Sequence, residues 1–211
     1  MRLTKHGYHH GDLRNALVGE ALKLLEKDGT SAFTLRDLAR RVGVSCAAPY
    51  SHFEDKDALL AAVATAGFGR LKTALEAAIQ QQADPEQQFV AMGRAYVQFG
   101  IDNPALYKLM FASEELPAKR DQFPELMEAG AKAFETLTGM LGRMQQSGFL
   151  RAGDVDGYGL TVWAHVHGLT SIIITGRIDC VGEHVAARNF APAEAVQMSL
   201  VAILKGLQNP I

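Results

Sequence analysis

A short stretch near the N-terminus places small, aromatic and cationic side chains at spacings suited to contact with a duplex. It comprises residues 45–56, SCAAPYSHFEDK, in which small residues precede Tyr50, His52 and Lys56. Small side chains allow a helix backbone to approach base edges in the major groove, whereas a hydroxyl, an imidazole or an ammonium group can reach phosphates. The stretch therefore predicts binding of double-stranded DNA.

Two short helices joined by a tight turn must position these side chains. Thr34 is a typical N-cap, with Asp37 three residues later, and Gly43 is expected to end the first helix. Ser45 is expected to cap the second helix and Asp55 the long helix that follows. This arrangement predicts a helix-turn-helix, whose second helix stays free to enter a groove.

A proline lies inside the predicted second helix. Pro49 removes a backbone N–H near the end of the first turn, so this helix is expected to start tightly or to bend slightly. The preceding residues 46–48 carry almost no hydrogen-bond donors, which favours apolar contact with thymine methyls or readout of DNA shape.

Composition and charge exclude several other classes of protein. The chain has 211 residues, of which 48% are hydrophobic and 21% charged, so it is expected to fold. It has no run of about 18 uncharged apolar residues and no apolar signal region at its start, which predicts a cytoplasmic protein.

Cys46 and Cys180 are far apart and are expected to be reduced thiols. The net charge is −2, but residues 1–56 carry nine Lys/Arg against seven Asp/Glu.

The periodicity of apolar residues predicts an all-α protein. Apolar residues recur every three or four positions, as in helix 12–28, and the β-branched run 171–175 continues a helical pattern and is interpreted as a helix end. Further helices are predicted over 34–43, 45–53, 55–82, 85–102, 104–111, 124–147, 155–175 and 192–207. These make about nine helices: a three-helix N-terminal helix-turn-helix domain joined to a larger C-terminal helical bundle.

The segment from Tyr8 to about Leu71 resembles the DNA-binding domain of TetR-type (TetR/AcrR) regulators. The matching residues are Thr34-Leu35, Ala39-x-x-Val42-Gly43-Val44-Ser45 and Tyr50-x-His52-Phe53-x-x-Lys56. The resemblance implies an all-helical homodimer whose recognition helix begins at Ser45. It also implies that Thr34, Tyr50 and Lys56 contact phosphates. The residues predicted to contact DNA are Thr34, Ser45, Cys46, Ala47, Ala48, Tyr50, His52 and Lys56.

The C-terminal region resembles the WHG subgroup of the same family, through Trp163-x-x-x-His167-Gly168. Trp163 and His167 lie four residues apart and share a helix face. Gly168 is expected to permit close approach of a neighbouring helix. The resemblance implies that this helix and the last one form a four-helix dimer interface with a second subunit.

Large apolar residues in the C-terminal half predict a pocket for a small-molecule effector that is largely apolar. Ordinary core packing is the alternative for each of them. The predicted lining residues are Phe99, Tyr107, Met110, Met144, Trp163 and His167. The domains are therefore predicted as 9–71 for DNA binding and 85–207 for ligand sensing and dimerisation.

The function predicted is a sequence-specific transcriptional regulator, a ligand-responsive repressor acting as a homodimer, with no cofactor, metal or membrane partner. The alternatives are a helical hairpin that only packs and a module that binds protein. Residues 5–11 are either an arm along the minor groove or a loose chain start. A metal site at His165, His167 and His184 is disfavoured by their spacing, and no catalytic motif is present. Cys46 as a thiol switch in the DNA interface remains a further alternative.

Overall fold

The computed structural model describes residues 10–30, 33–111, 121–177 and 192–208. These residues contain eight α-helices, one 3₁₀ helix and no strand, so the all-α fold class is confirmed. The helices are α1 (His10–Asp28), α2 (Leu35–Val42), the 3₁₀ helix (Ala48–Ser51), α3 (Lys56–Gln80), α4 (Pro85–Asp102), α5 (Pro104–Phe111), α6 (Pro124–Gln146), α7 (Val155–Ile174) and α8 (Pro192–Leu207).

Proline marks the first residue of four helices, as predicted. These are Pro85, Pro104, Pro124 and Pro192. Proline is tolerated at this position because the N–H that it lacks has no partner within the helix. The run 171–175 is also helical up to its last residue, which confirms that it is a helix end.

The chain divides into two compact units. The first comprises the described residues of Met1–Gly67 and Ala105–Met127, and the second those of Phe68–Pro104 and Glu128–Ile211. Helix α5 thus clusters almost entirely with the N-terminal helices. The domains 9–71 and 85–207 were predicted by function, their boundaries differ from those of the two compact units, and they stay predictions.

In the first unit, α1, α2 and the 3₁₀ helix pack on one another. The predicted stripe on α1 is buried, with Leu17 and Ala21 inaccessible to solvent. Gly29 ends α1 in the left-handed conformation (φ 79°), and its N–H donates to the Leu25 carbonyl (2.9 Å). Leu38 of α2 is also fully buried. This core supports the segment predicted to bind DNA.

In the second unit, α4 packs against both α7 and α8. Gly93 of α4 lies so close to α8 that an added Cβ would overlap the Leu200 side chain. Gly159 of α7 similarly lies close to Thr138 and Phe134 of α6. Two glycines therefore allow close packing between helices of this unit.

Within the described residues, one helix is long and apolar enough to cross a membrane by length and composition, namely α3. Of its most apolar stretch, 56% is buried inside the protein. Core helices of soluble proteins have the same properties, so this feature is weak evidence for a membrane span.

Candidate nucleic-acid interface

Helix α2 is fixed at both ends by its own sequence. The Thr34 hydroxyl donates to a carboxylate oxygen of Asp37 (2.6 Å) and accepts from the Asp37 N–H (3.2 Å). The Thr34 N–H donates back to the same carboxylate (3.1 Å), which completes a capping box. At the other end Gly43 is left-handed (φ 82°), and its N–H donates to the Ala39 carbonyl. Both predicted ends of α2 are confirmed.

The capping hydrogen bonds also set the charge at the start of α2. The bond from the Thr34 side chain, then that from its backbone N–H, and the positive charges of Arg40 and Arg41 lower the pKa of the Asp37 carboxyl. Asp37 therefore stays ionised, and the Thr34 hydroxyl proton is directed to this carboxylate. Any contact between Thr34 and a phosphate has to compete with this bond.

The prediction that a helix begins at Ser45 is wrong. Residues 46–47 form a turn, and the first helical element is the single 3₁₀ turn Ala48–Ser51. An α-helix capped by Ser45 would need a bond from the N–H of residue 49 to the Ser45 carbonyl, and Pro49 has no N–H. The Ala48 N–H donates to that carbonyl instead (3.0 Å). The expected tight start is thus present, in a shorter element.

The exposed residues of this region define the recognition segment, residues 45–52. Ser45, Cys46 and Ala47 are exposed, and 49% of Tyr50 is accessible. Pro49 is buried beneath them. The segment therefore offers small side chains and one phenol to an approaching partner.

Two further predicted residues are His52, the last residue of the segment, and Lys56, four residues beyond it. His52 is half-buried, and its Nε2 is buried without a hydrogen-bond partner among the described residues. Lys56 is the first residue of α3, and its Nζ lies 5.4 Å from the centroid of the Phe33 ring. Asp55 caps α3 as predicted, accepting from the Ala58 N–H (2.8 Å).

Sequence reasoning passed over the arginines of α2. Arg36, Arg40 and Arg41 are all exposed. Arg40 pairs with Asp37 (3.1 Å) and Arg41 approaches Glu20 (3.8 Å), whereas Arg36 has no ion pair among the described residues. The charge pattern RDLARR was the available signal. Arg36 joins Lys56 as a candidate phosphate contact.

The C-terminal signature residues form a hydrogen-bonded cluster. Trp163 Nε1–H donates to the Tyr96 hydroxyl (3.2 Å), which lies 3.2 Å from His167 Nδ1. The indole N–H can only donate, so the Tyr96 oxygen accepts in that bond, whereas donor and acceptor in the Tyr96–His167 bond depend on the tautomer of His167. Burial lowers the pKa of His167, which favours its neutral form. Tyr96 is 67 residues from Trp163 in sequence and was not identified beforehand.

The six predicted pocket residues are distributed over both units. Tyr107 and Met110 are buried in the first unit; Phe99, Met144, Trp163 and His167 belong to the second. A groove of about 440 Å³ in the second unit is lined by other residues. They are Ala78, Gln81, Gln82, Glu86, Gln87, Val90, Ala91, Arg94 and Gln197. The pocket residues therefore stay a prediction.

The close approach that Gly168 is predicted to permit is not made within the described part of this chain and stays a prediction. No described side chain or neighbouring helix comes within 4 Å of the position its Cβ would occupy. The close approaches in this unit occur at Gly93 and Gly159 instead. Three sequence predictions concern residues that lie wholly or mostly outside the described part of the chain: the arm 5–11, of which residues 5–9 are not described, Cys180 and His184.

Comparison with known proteins identifies both parts of the chain. A family model for bacterial regulatory proteins of the tetR family matches residues 17–63, and a model for a tetracyclin repressor-like C-terminal domain matches residues 89–196. The HTH-type transcriptional regulator BetI of Rhizobium meliloti (strain 1021) is 36% identical over 81 residues. These are 38% of this chain and 40% of BetI, so the match spans less than half of that relative.

Solved structures extend the similarity to nearly the whole chain. A protein of unknown function from Rhodococcus sp. RHA1 is 32% identical, with a TM-score of 0.79 over 97% of this chain and all of the other. A regulatory protein of the tetR family from Rhodococcus RHA1 shares the fold at 16% identity, with a TM-score of 0.66 over 94% of this chain and 98% of the other. The narrower WHG resemblance stays a prediction. Since the C-terminal model alone covers just over half of the residues, the chain belongs to the TetR family of bacterial regulatory proteins.

Proposed function

We propose that the chain is a ligand-responsive transcriptional repressor that binds operator DNA as a homodimer. The observation that carries the proposal is the recognition segment, in which Tyr50 is 49% exposed while Phe53, next to the segment, is 3% exposed. Groups able to bind a duplex thus lie outside a rigid core, with Arg36 and Lys56 nearby on α2 and α3. TetR-family regulators bind operator DNA and effectors, typically as dimers, and act as regulators, not as enzymes.

The exposed apolar residues of the last two helices support the homodimer. Leu160 and Ile172 of α7 are 56% and 42% exposed, and Met198 of α8 is 59% exposed. Large apolar side chains exposed on two helices that pack on each other favour burial against a partner. Gly168 lies on α7, with open space at the position of an added Cβ, which would allow a second subunit to approach closely.

The effector site we propose lies among α4, α6 and α7. Phe99 of α4 and Met144 of α6 are buried, and Trp163 and His167 of α7 supply hydrogen-bonding groups. These residues suit a largely apolar molecule oriented by a few polar contacts. A ligand that favours another separation of the two recognition segments would weaken operator binding, because the segments must reach major-groove faces about 34 Å apart. Since the partner is DNA, the proposed site of action is the cytoplasm.

The decisive experiment is an electrophoretic mobility shift with the promoter DNA upstream of the protein's own gene. We expect a retarded complex whose affinity falls as salt rises. The Lys and Arg side chains of the protein release condensed counterions from the duplex, and this release is less favourable at high salt. Transcription from that promoter should decrease when the protein is added. Absence of any retarded complex would favour the alternative that the module binds protein.

The homodimer is tested by a matched pair of substitutions. Met198→Glu places a charge in the proposed interface, whereas Met127→Glu changes a methionine of similar exposure (49%) in the other unit. Light scattering should find Met198→Glu monomeric and Met127→Glu dimeric. Equal behaviour of the two variants would contradict the proposed interface.

A further inference from the structure

The groove of about 440 Å³ in the second unit, called the second-unit groove below, is lined by none of the six residues predicted to bind an effector. Its walls are the end of α3 with the turn that follows, the N-terminal part of α4, and one residue of α8. All of these residues belong to the second unit. The groove is therefore a candidate binding site in its own right.

Contacts between neighbouring elements hold the walls of the second-unit groove in place. The Gln88 side-chain amide of α4 donates to the Gln82 carbonyl in the turn after α3 (2.9 Å). Gly93 of α4 packs directly against Leu200 of α8, which lies three residues after the lining residue Gln197. A ligand therefore meets walls that are already ordered, which lowers the entropic cost of binding.

Amide side chains form most of the polar lining. Four of the nine lining residues are glutamines. One of them, Gln197, is half-buried, and its Oε1 is buried without a hydrogen-bond partner among the described residues. A buried acceptor is unfavourable unless it receives a hydrogen bond. The groove therefore favours a ligand that carries N–H groups.

One anion and one cation complete the polar lining. Glu86 and Arg94 are both exposed, and neither has an ion-pair partner among the described residues. They are eight residues apart on α4, which separates their Cα atoms by about 12 Å along the helix axis. The lining therefore has no net charge but two oppositely charged ends.

Other classes of ligand suit this lining less well. A largely apolar molecule would contact Val90 and the two alanines of the lining, but it would leave the amides and both charges without partners. A ligand with one net charge would be attracted by one end of the groove and repelled by the other. For a metal ion, the described residues contain no group of three or more His, Cys, Asp or Glu side chains.

We propose that the second-unit groove binds an elongated zwitterion, a small molecule with an ammonium group at one end and a carboxylate at the other. Arg94 pairs with the carboxylate, Glu86 pairs with the ammonium group, and Gln197 Oε1 accepts from an N–H of the ligand. Three extended peptide residues span about 10 Å, which matches the separation of the two charges once the side chains reach inwards. A short peptide and an ω-amino acid share this chemistry. The proposal goes beyond operator binding and does not depend on it.

The test is an NMR titration of the full, nitrogen-15-labelled chain with triglycine. The side-chain amide signals of Gln197 and the Nε–H signal of Arg94 are assigned by their absence in Q197L and R94Q. Both should shift and reach saturation with triglycine. Glycine should bind more weakly, because its two charges are too close together to reach Glu86 and Arg94 at once.

A second ligand distinguishes the two sources of this chemistry. The compound 8-aminooctanoate has the same number of chain atoms between its charges as triglycine but no amide groups. Tighter binding of triglycine identifies a peptide as the ligand, because peptide amides can pair with the glutamine side chains. Tighter binding of 8-aminooctanoate identifies an ω-amino acid.

Substitutions paired with blocked ligands test each charge separately. E86Q should weaken triglycine binding about fivefold, the upper range for an exposed ion pair, and should not weaken binding of acetyl-triglycine, which has no ammonium group. R94Q should likewise weaken triglycine but not triglycine amide, which has no carboxylate. R70Q removes an exposed arginine of α3 outside the groove and serves as the control.

The buried acceptor has a test of its own. Q197L removes the unpaired oxygen, so it should weaken triglycine binding while leaving the protein at least as stable to thermal unfolding. Triglycine affinity that is unchanged in Q197L would overturn the role of Gln197. The whole proposal is overturned if the groove signals do not shift with triglycine or 8-aminooctanoate, if they shift without saturation, or if E86Q weakens triglycine and acetyl-triglycine equally.

Discussion

Two tyrosines illustrate how differently two regions use polar groups: the recognition segment and the α4–α7 cluster, which consists of Tyr96, Trp163 and His167. Tyr50 is half-exposed, with no hydrogen bond to its hydroxyl among the described residues. Tyr96 is 5% exposed, and its hydroxyl lies between Trp163 and His167. A buried polar group must be satisfied inside the protein, whereas an exposed one remains available to a partner. The same side chain is therefore expected to serve stability in one region and binding in the other.

The largest expected effect is the loss of stability when the buried Phe53, next to the recognition segment, is replaced. Phe53 is 3% exposed and is covered by the Arg14 guanidinium, 5.6 Å from its ring centroid. Phe53→Ala should lower the free energy of unfolding by about 3–5 kcal/mol because it leaves a cavity. Urea unfolding followed by circular dichroism measures this loss. Met127→Ala, at a half-exposed position, serves as the control, and similar values for both variants would contradict the role assigned to Phe53.

Removal of one hydroxyl from each tyrosine tests the comparison directly. Tyr96→Phe should lower the free energy of unfolding by about 1–3 kcal/mol, since Trp163 and His167 lose their shared partner. Tyr50→Phe should change it by less than about 0.5 kcal/mol and should weaken DNA binding across many sequences. Thermal unfolding and a gel-shift titration on both variants give the four values. If Tyr96→Phe altered only DNA affinity, the comparison would fail.

A smaller effect is expected at the margin of the recognition segment. Lys56→Ala should reduce the slope of log affinity against log salt by about one, as for the loss of one phosphate contact. Lys72→Ala, on the same helix but paired with Glu76, should leave the slope unchanged. A gel-shift series at several salt concentrations measures both slopes. Identical slopes for Lys56→Ala and the unmodified protein would remove Lys56 from the interface.

The smallest effect concerns acid stability of the α4–α7 cluster. Burial lowers the pKa of His167 from its ordinary value of 6.5, so the unfolded chain takes up a proton at higher pH than the folded protein. Stability is therefore full above that ordinary value and decreases as pH falls below it, towards the lowered pKa. Burial lowers the pKa of His165 as well, with the same sign.

His167→Gln isolates this contribution. The amide does not titrate, so the variant should lose less stability than the unmodified protein between neutral and mildly acidic pH. Urea unfolding at each pH provides the measurement, and His165→Gln gives the share of the second histidine. An unchanged pH dependence in both variants would rule out these histidines as its source.

Local signals predicted most of the fold, and contacts distant in sequence explain what they missed. Pro85, Pro104 and Pro124 fixed helix starts because proline acts on its own turn. The cluster at Tyr96 was not predictable, since hydrogen bonding to Trp163 depends on how two helices pack. Gly168 shows the reverse limit, because a glycine indicates room for a neighbour without showing that one is present.

The candidate interface was predicted better in residue type than in geometry. The exposed, small residues of the recognition segment follow from its sequence, and so does a tight start at Pro49. The extent of the 3₁₀ turn depends on which carbonyls find donors, and the burial of His52 Nε2 depends on packing around it. Neither can be derived from spacing alone.

The absent N–H of Pro49 limits what can be transferred from relatives whose second helix is continuous. In such a helix, base contacts follow a periodicity of 3.6 residues per turn. Here Cys46 and Ala47 lie in a turn, so their directions follow individual backbone angles. Aligned positions therefore do not imply the same base pair, and the sequence preference of this protein has to be measured on its own DNA.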